Sequence, residues 1–192
     1  MTQKRPASEI LAVWSELSRE AAQLVVDTYG EPHEATDSEL RWFGVGPWKR
    51  ICAQRESWEH RFPAPHDDSV ETFIDYRVPV EAFTPLARFD GSVMVERTTG
   101  ELSARCHDEQ ANTLALNLAH EIVTGVRTVE EARAYYSTEF LDARRKKPTP
   151  YMDGLRFTPT ADAVADPDTR TLTDEQLEAA KAAANQAAGV SV

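Results

Sequence analysis

The chain has few cysteines and no long apolar run. Cys52 and Cys106 are its two cysteines in 192 residues, which is too few for a disulfide framework and makes a reducing cytoplasm the expected location. No apolar segment approaches the ~18 residues that cross a bilayer. Lys4 and Arg5 are not followed by the apolar core of a secretory signal. We therefore expect a chain that neither spans a membrane nor is exported.

Positive charge is also scarce. The chain has 21 Lys and Arg residues against 32 Asp and Glu residues, a formal net charge of -11. An acidic chain repels phosphate backbones and anionic lipid surfaces, so we expect neither a nucleic-acid partner nor membrane binding. Hydrophobic residues make up 41% and charged residues 28%, a composition typical of globular proteins.

Periodicity and turn residues predict an α+β fold. Alternating and aromatic-rich segments with Gly or Pro between them indicate strands, and apolar residues every three or four positions indicate helices. The predicted elements are a helix over 8–29, a hairpin over 39–55, a loop over 57–69, a strand over 70–78, a hairpin over 92–106, and helices over 108–124 and 128–147. Such an order predicts an antiparallel sheet with the N-terminal helix and a C-terminal pair of helices packed on it.

The C-terminal part of the chain has a different composition. From Pro148 onward, prolines punctuate a polar stretch with few core residues, so we expect one α+β domain over 7–147 and a Pro-rich linker or arm over 148–192. Thr173 and Gln176 form a capping box that predicts a short Ala-rich helix over 174–188. This helix has almost no apolar stripe and should attach weakly to the domain.

Three clusters of imidazole beside carboxylate are candidate metal ligands: His66-Asp67-Asp68, His107-Asp108-Glu109 and His120-Glu121. Such groups bind zinc, iron or harder ions. His107 and His120 lie about 20 Å apart along one helix, so they cannot share an ion. The predicted metal set is therefore His66, Asp67 and His107, with His120 joining only if the fold brings it near. The alternative is that these residues are helix caps and surface groups.

Cys106 precedes a predicted helix N-terminus, a position that favours a thiolate. It also continues the inward-facing series of Leu102 and Ala104, which predicts a buried and inert thiol instead. If the chain is an enzyme, the candidate catalytic groups are Cys106, His107, His120 and Glu121. The sequence indicates no particular cofactor.

A set of aromatic and basic residues near two turns is a candidate binding surface. It consists of Trp48, Arg50, Trp58, His60 and Arg61. Cations beside aromatic rings suit an anionic or planar ligand, or the acidic surface of a protein partner. The alternative is that the rings are core and the cations are solvated.

Two stretches carry resemblances. YGEPHEATDSELRWFGVGPWKR, residues 29–50, and the segment 100–136 resemble a group of bacterial proteins to which no activity is attached. The helix ending in Gly-x-Pro before a Trp-bearing hairpin is similar to small assembly modules of the bacterial envelope. Neither resemblance implies a functional residue.

These observations support three functional hypotheses. The first is a non-enzymatic interaction or assembly protein that binds a protein partner, or itself, through the C-terminal arm or the Trp/Arg surface. The second is a metal-dependent hydrolase using His66, Asp67 and His107. The third is a thiol-dependent activity at Cys106.

Overall fold

The computed structural model describes residues 5–160 and 168–187. Its elements are α1 Ala7–Leu11, α2 Glu16–Tyr29, β1 Glu34–Ala35, β2 Glu39–Val45, β3 Trp48–His60, β4 His66–Asp75, a 3-10 turn Val80–Ala82, α3 Phe83–Phe89, β5 Val93–Glu96, β6 Glu101–Cys106, α4 Glu109–Val123, α5 Val129–Arg144 and α6 Asp174–Ala187. Among the described helices, none is long and apolar enough to cross a bilayer.

The strands form one antiparallel sheet in the order β1-β2-β3-β4-β6-β5, which confirms the predicted α+β class. Cross-strand partners lie on the same face of a sheet. One row across the sheet, Trp42, Ile51, Thr72 and Ala104, is buried. The core therefore lies on this face, where burial of each large aliphatic side chain contributes about 1.5–3 kcal/mol.

Helices α2 and α4 cover the buried face. α2 contacts β2, β3 and β4, whereas α4 contacts β4, β5 and β6. Two side chains link the layers: Trp42 Nε1 donates to Gly30 O at 2.9 Å, and Asn112 Nδ2 donates to Val70 O at 3.0 Å. α5 packs on α3 and α4, which places it beside one end of the sheet.

The opposite face of the sheet carries charged side chains. Arg50 makes two 2.8 Å contacts with Glu101, and Lys49 bonds Asp75 at 2.7 Å. The Arg50 guanidinium also lies 3.7 Å from the centre of the Phe73 ring. These groups satisfy one another, so this face needs no covering helix.

The single helix predicted over 8–29 is wrong, because the chain forms two helices there. Ser15 caps α2 by accepting from Ser18 N at 3.2 Å, and Trp14 Nε1 donates to Asp37 O at 2.9 Å. The new cap resets the phase of the helix. As a result Leu17 and Leu24 are exposed.

The loop predicted over 57–69 is also largely wrong. β3 continues to His60 and β4 begins at His66, so only residues 61–65 form the turn. Pro63 and Pro65 both fit inside this short turn and interrupt neither strand. The predicted strand over 70–78 ends at Asp75.

The other element predictions are confirmed by local contacts. Asp108 caps α4 by accepting from Ala111 N at 2.8 Å. Thr128 and Glu131 form a capping box at the start of α5. The hairpin β5–β6 and helix α6 also form where periodicity and capping residues predict them.

The first part of the predicted arm packs on the domain. Asn117 Nδ2 donates to Tyr151 O and Gly154 O at 2.9 and 3.0 Å, and its Oδ1 accepts from Arg156 N at 2.7 Å. Tyr151 N donates to Glu139 Oε1 at 2.7 Å. By contrast, α6 has no buried residue among those described. A domain boundary at residue 147 stays a prediction.

Candidate metal centre

The end of the β3–β4 hairpin places two histidines side by side. His60 closes β3, His66 opens β4, and the two are direct partners in the register. Their ring centres are 5.1 Å apart. The short turn over 61–65 produces this pairing.

Strand alternation adds two further groups to the same face. Asp68 lies two residues after His66, and Val70 two residues after Asp68, so all three point to the same side of β4. Cys106, at the end of β6, is the register partner of Val70. Imidazole, carboxylate and thiol are thus brought together from three neighbouring strands.

The potential ligand atoms are close to one another. His66 Nε2 lies 3.1 Å from Asp68 Oδ1 and 3.2 Å from Cys106 Sγ. His60 Nδ1 lies 3.4 Å from Asp68 Oδ2. One ligand atom each from His60, His66 and Asp68 lies within 4.8 Å of the other two. For comparison, two atoms about 2.0–2.1 Å from one tetrahedral zinc ion lie roughly 3.3 Å apart.

The other nitrogen of each ring has a partner outside the cluster. His66 Nδ1 donates to Ala64 O at 2.8 Å, and His60 Nε2 lies 3.6 Å from Asp90 Oδ1. Metal-binding histidines are usually held in this way by a carbonyl or a carboxylate. The arrangement directs the His66 Nε2 and His60 Nδ1 lone pairs towards Asp68.

Ser92 orients the carboxylates. Its Oγ donates to Asp68 Oδ2 and lies 3.3 Å from His60 Nδ1, and its backbone N–H donates to Asp90 Oδ1 at 2.7 Å. The Asp68 side chain is only 2% exposed, and its Oδ1 lies 3.1 Å from His66 Nε2. A buried carboxylate is costly unless a donor or a cation lies beside it, and His66 is the group that does so here.

Burial and hydrogen bonding together set the charge states in the cluster. It opposes a charge on His66, but the hydrogen bonds with Asp68 and Cys106 outweigh it and raise the pKa of His66 to about 11. Burial raises the pKa of the Cys106 thiol and the pKa of Asp90. Without a metal ion, the stable state is therefore an imidazolium at His66 beside a neutral thiol.

Aromatic side chains enclose the cluster on the α5 side. Phe140 lies 6.4 Å from the His66 ring, and Phe62 lies 6.4 Å from the His60 ring. Tyr136 packs on Phe62, with its Oη 4.0 Å from Cys106 Sγ. His60 and His66 are still 18% and 12% exposed, so solvent reaches the cluster past the two rings.

The geometry disfavours a catalytic Cys-His-Asp triad. In such a triad the carboxylate orients the nitrogen opposite the one that faces the nucleophile. Here Cys106 and Asp68 both contact His66 Nε2, whereas Nδ1 bonds a carbonyl. Cys106 is also 6% exposed with a raised pKa, the opposite of a reactive thiol.

Of the predicted metal set, the structure brings only His66 into the cluster. Asp67 alternates with Asp68 and points to the other side of β4. His107 follows Cys106 beyond the end of β6, and the ligand-capable group among the described residues does not include it. The other two members of the cluster are His60 and Asp68 instead of the predicted Asp67 and His107.

His120 and Glu121 form a separate cluster with the C-terminal segment. His120 Nδ1 and Tyr76 Oη share a hydrogen bond of 2.8 Å, and the His120 ring stacks on Phe157 at 4.2 Å. Glu121 bonds Arg127 and accepts from Tyr151 Oη at 2.7 Å. These two candidate catalytic residues hold residues 151–157 on α4.

The predicted Trp/Arg surface does not form one patch. Trp48 is 2% exposed and donates to Glu109 Oε1 at 2.8 Å, so it belongs to the core. Arg50 is paired with Glu101 on the outer sheet face. Trp58 is 43% exposed beneath the Arg105 guanidinium, and Arg61 is exposed. His60 faces the metal-ligand cluster.

Comparison of the chain with family models, with curated proteins and with solved structures found no match. One signal in the sequence indicates the set of residues that lie together in the structure. Extending the alternation of Val70 and Ile74 backwards along β4 places Asp68 and His66 on the core face, and a short turn then places His60 opposite His66.

Proposed function

We propose that this chain binds one divalent transition-metal ion, best matched by Zn²⁺, through His60, His66 and Asp68. The observation that carries the proposal is the orientation of the two rings. Each has its outer nitrogen next to an oxygen acceptor and its inner nitrogen next to Asp68. A zinc ion between them would accept both lone pairs and place a positive charge beside the buried carboxylate of Asp68.

The donor set favours a borderline ion. Imidazole suits Zn²⁺, Co²⁺ and Ni²⁺, whereas Mg²⁺ and Ca²⁺ prefer sites made of oxygen ligands. The separations of 3.1–3.4 Å between ligand atoms suit a tetrahedral ion. Three protein ligands would leave one position for water, as in catalytic zinc sites. What occupies that position therefore decides between the hydrolase hypothesis and a structural ion.

Calorimetric zinc titration of matched variants tests the proposal. His60→Gln removes a ligand of the proposed set, whereas His107→Gln removes a histidine that only the sequence hypothesis includes. We expect the wild-type chain and His107→Gln to bind zinc with the same affinity, and His60→Gln to lose most of that affinity.

Circular dichroism provides the folding control for these variants. If His60→Gln is folded and binds zinc as tightly as the wild type, the proposed site is wrong. If His107→Gln instead loses its zinc affinity while His60→Gln keeps it, the ligand set predicted from the sequence is the better one. No zinc binding by the folded wild-type chain would remove both.

A second candidate function, association through the C-terminal arm, is favoured by one observation. Leu172 and Leu177 are exposed, and α6 has no buried residue among those described. Two exposed leucines at the start of a helix suit a protein partner or another copy of the chain. Light scattering of the full chain and of residues 1–157 tests self-association. Self-association through the arm requires a mass above that of one chain for the full chain, and the mass of one chain for residues 1–157.

We also propose the cytoplasm as the location. Cys52 and Cys106 are both free and both buried. Buried free thiols persist in a reducing compartment. Thiol titration of unfolded protein prepared directly from cells checks this, because two free thiols per chain are expected and an oxidised pool would contradict it.

A further inference from the structure

An arginine of α5 lies close to the proposed metal site. The Phe140 ring is 6.4 Å from the His66 ring, and the Arg144 guanidinium is 3.6 Å from the centre of the Phe140 ring. Together these distances place the guanidinium within about 10 Å of the His66 imidazole. Phe140 and Arg144 are four residues apart on one helix, so α5 holds the aromatic ring and the cation together.

Arg144 has no carboxylate partner in the described part of the chain, where the Phe140 ring is the group that its guanidinium contacts. Its neighbours differ in this respect. Arg145 lies 3.6 Å from Asp142, and Lys147 lies 3.4 Å from the same carboxylate. Both of these cations also stand at the negative end of the α5 dipole and complement it. The charge of Arg144 is therefore available to a ligand.

A second arginine is arranged in the same way beside His60. The Phe62 ring is 6.4 Å from the His60 ring, and the Arg133 guanidinium is 3.8 Å from the centre of the Phe62 ring. Arg133 Nη1 donates to the carbonyls of Arg88 and Phe89 at the end of α3. These acceptors are neutral, so they do not compensate its charge. In a chain of net charge -11, each histidine thus has one aromatic ring and one arginine next to it.

The proposed three-ligand site favours an anion at its open position. A Zn²⁺ ion with two neutral imidazoles and one carboxylate keeps a single net positive charge. Carboxylate oxygens bind zinc, and guanidinium groups attract carboxylates. The entrance is narrow, because His60 and His66 are 18% and 12% exposed and Phe62 and Phe140 lie beside them. A planar carboxylate on an apolar body suits such an entrance better than a bulkier tetrahedral anion.

We infer that the open position takes a small organic carboxylate, bound by the metal ion and attracted by Arg144 and Arg133. This inference rests on the proposed function and assigns the ion to ligand binding instead of a purely structural role. The carboxylate would replace metal-bound water, and Phe62 and Phe140 would contact its apolar part. The attraction from Arg144 should be strongest at low salt, because charges about 10 Å apart are largely screened at physiological ionic strength.

Titration of the cobalt-substituted protein with benzoate tests this inference, because replacement of bound water by a carboxylate changes the visible absorption of Co²⁺. Sulfate at the same ionic strength is the tetrahedral comparison. We expect benzoate to bind more tightly than sulfate, and Arg144→Gln to bind benzoate at least about threefold more weakly than the wild type at low salt. Arg145→Gln is the matched control, because it removes an adjacent charge that is paired with Asp142. Arg144→Lys keeps the charge and should retain most of the benzoate affinity.

The outcomes separate the inference from the proposed function. No cobalt binding by the folded wild-type chain would overturn both. Bound cobalt with a spectrum that benzoate leaves unchanged would overturn the inference and retain the three-ligand site. Tighter binding of sulfate than of benzoate would overturn the choice of a carboxylate. Equal benzoate affinity in Arg144→Gln and Arg145→Gln would overturn the role of Arg144, and circular dichroism shows that the variants compared are folded.

Discussion

His60 and His66 are cross-strand partners whose inner ring nitrogens both approach the carboxylate of Asp68, at 3.4 and 3.1 Å. The pairing depends on the shortness of the turn that joins β3 to β4. In a sheet, direct partners have Cβ atoms about 5 Å apart, close enough for two imidazoles to share an ion. The site is therefore a product of hairpin geometry and not of a contiguous motif.

Asp68→Asn is expected to lose zinc binding, whereas Asp67→Asn is expected to keep it. The two aspartates are neighbours, but only Asp68 faces the histidines. An amide keeps the size of the side chain and removes its charge, so folding should survive. Calorimetric zinc titration of both variants measures the difference. Equal zinc affinity for the two would argue against Asp68 as a ligand.

Asp90→Asn is expected to weaken zinc binding without removing it. Asp90 lies 3.6 Å from the outer nitrogen of His60 and orients that ring. Loss of such a partner typically costs about 10–100-fold in metal affinity. A zinc competition assay with a chromophoric chelator measures the change, and an unaltered cobalt spectrum shows that the ligands themselves are the same. An unchanged affinity would mean that Asp90 does not position His60.

His120→Gln is expected to flatten the acid dependence of stability. Burial lowers the pKa of His120 below its usual value of about 6.5, with Glu121 acting in the opposite direction. The unfolded chain therefore binds this proton more readily than the folded chain. Stability contributed by neutral His120 is full above about pH 6.5 and falls as the pH drops towards the folded pKa.

Urea unfolding measured near neutral pH and about one to two pH units lower tests the role of His120. The wild type should lose more unfolding free energy over this interval than His120→Gln. Tyr76, Glu121 and Phe157 surround the ring, and the substitution leaves their charges unchanged. Parallel pH profiles for the two proteins would contradict the expected role.

Truncation should separate the packed part of the C-terminal segment from the exposed part. Residues 1–157 keep the contacts of Asn117 and Glu139 with the segment, and we expect their unfolding free energy to equal that of the full chain. Residues 1–147 lose these hydrogen bonds and the burial of Tyr151 and Phe157. We expect a loss of about 4 kcal/mol or more, because the four hydrogen bonds contribute about 1 kcal/mol each and apolar burial adds to them. Urea unfolding of both forms checks this, and equal stability would place the domain boundary at 147.

Local patterns predicted those parts of the fold that local contacts determine. The caps at Asp108, Thr128 and Thr173 need only residues three or fewer positions away, and each forms. The helix over 8–29 failed because the interruption comes from outside it. The Trp14 ring is anchored to Asp37 O. Helical periodicity cannot reveal this contact, because Asp37 lies outside the helix.

The candidate site was predictable only in part, because its contacts join residues that are distant in the sequence. His66 and Cys106 stand out by residue type, but their contact joins positions forty residues apart. It depends on the pairing of Val70 with Cys106, which alternation alone does not specify. The period of β4 distinguishes Asp68 from Asp67. Using that period requires the strand to extend through a stretch whose prolines make it resemble a loop.

Added zinc should stabilise the folded chain. A ligand at 100 times its Kd raises the free energy of unfolding by about 2.7 kcal/mol when only the folded state binds it. Urea unfolding with zinc and with a chelator measures this, using His60→Gln as the control that should not respond. An equal zinc response in His60→Gln would place the stabilising ion elsewhere.

Anomalous diffraction at the zinc edge, from crystals grown with zinc, tests the central claim most directly. We predict one strong peak within about 2.0–2.2 Å of His60 Nδ1, His66 Nε2 and an Asp68 oxygen. Absence of a peak between His60 and His66 would contradict the account.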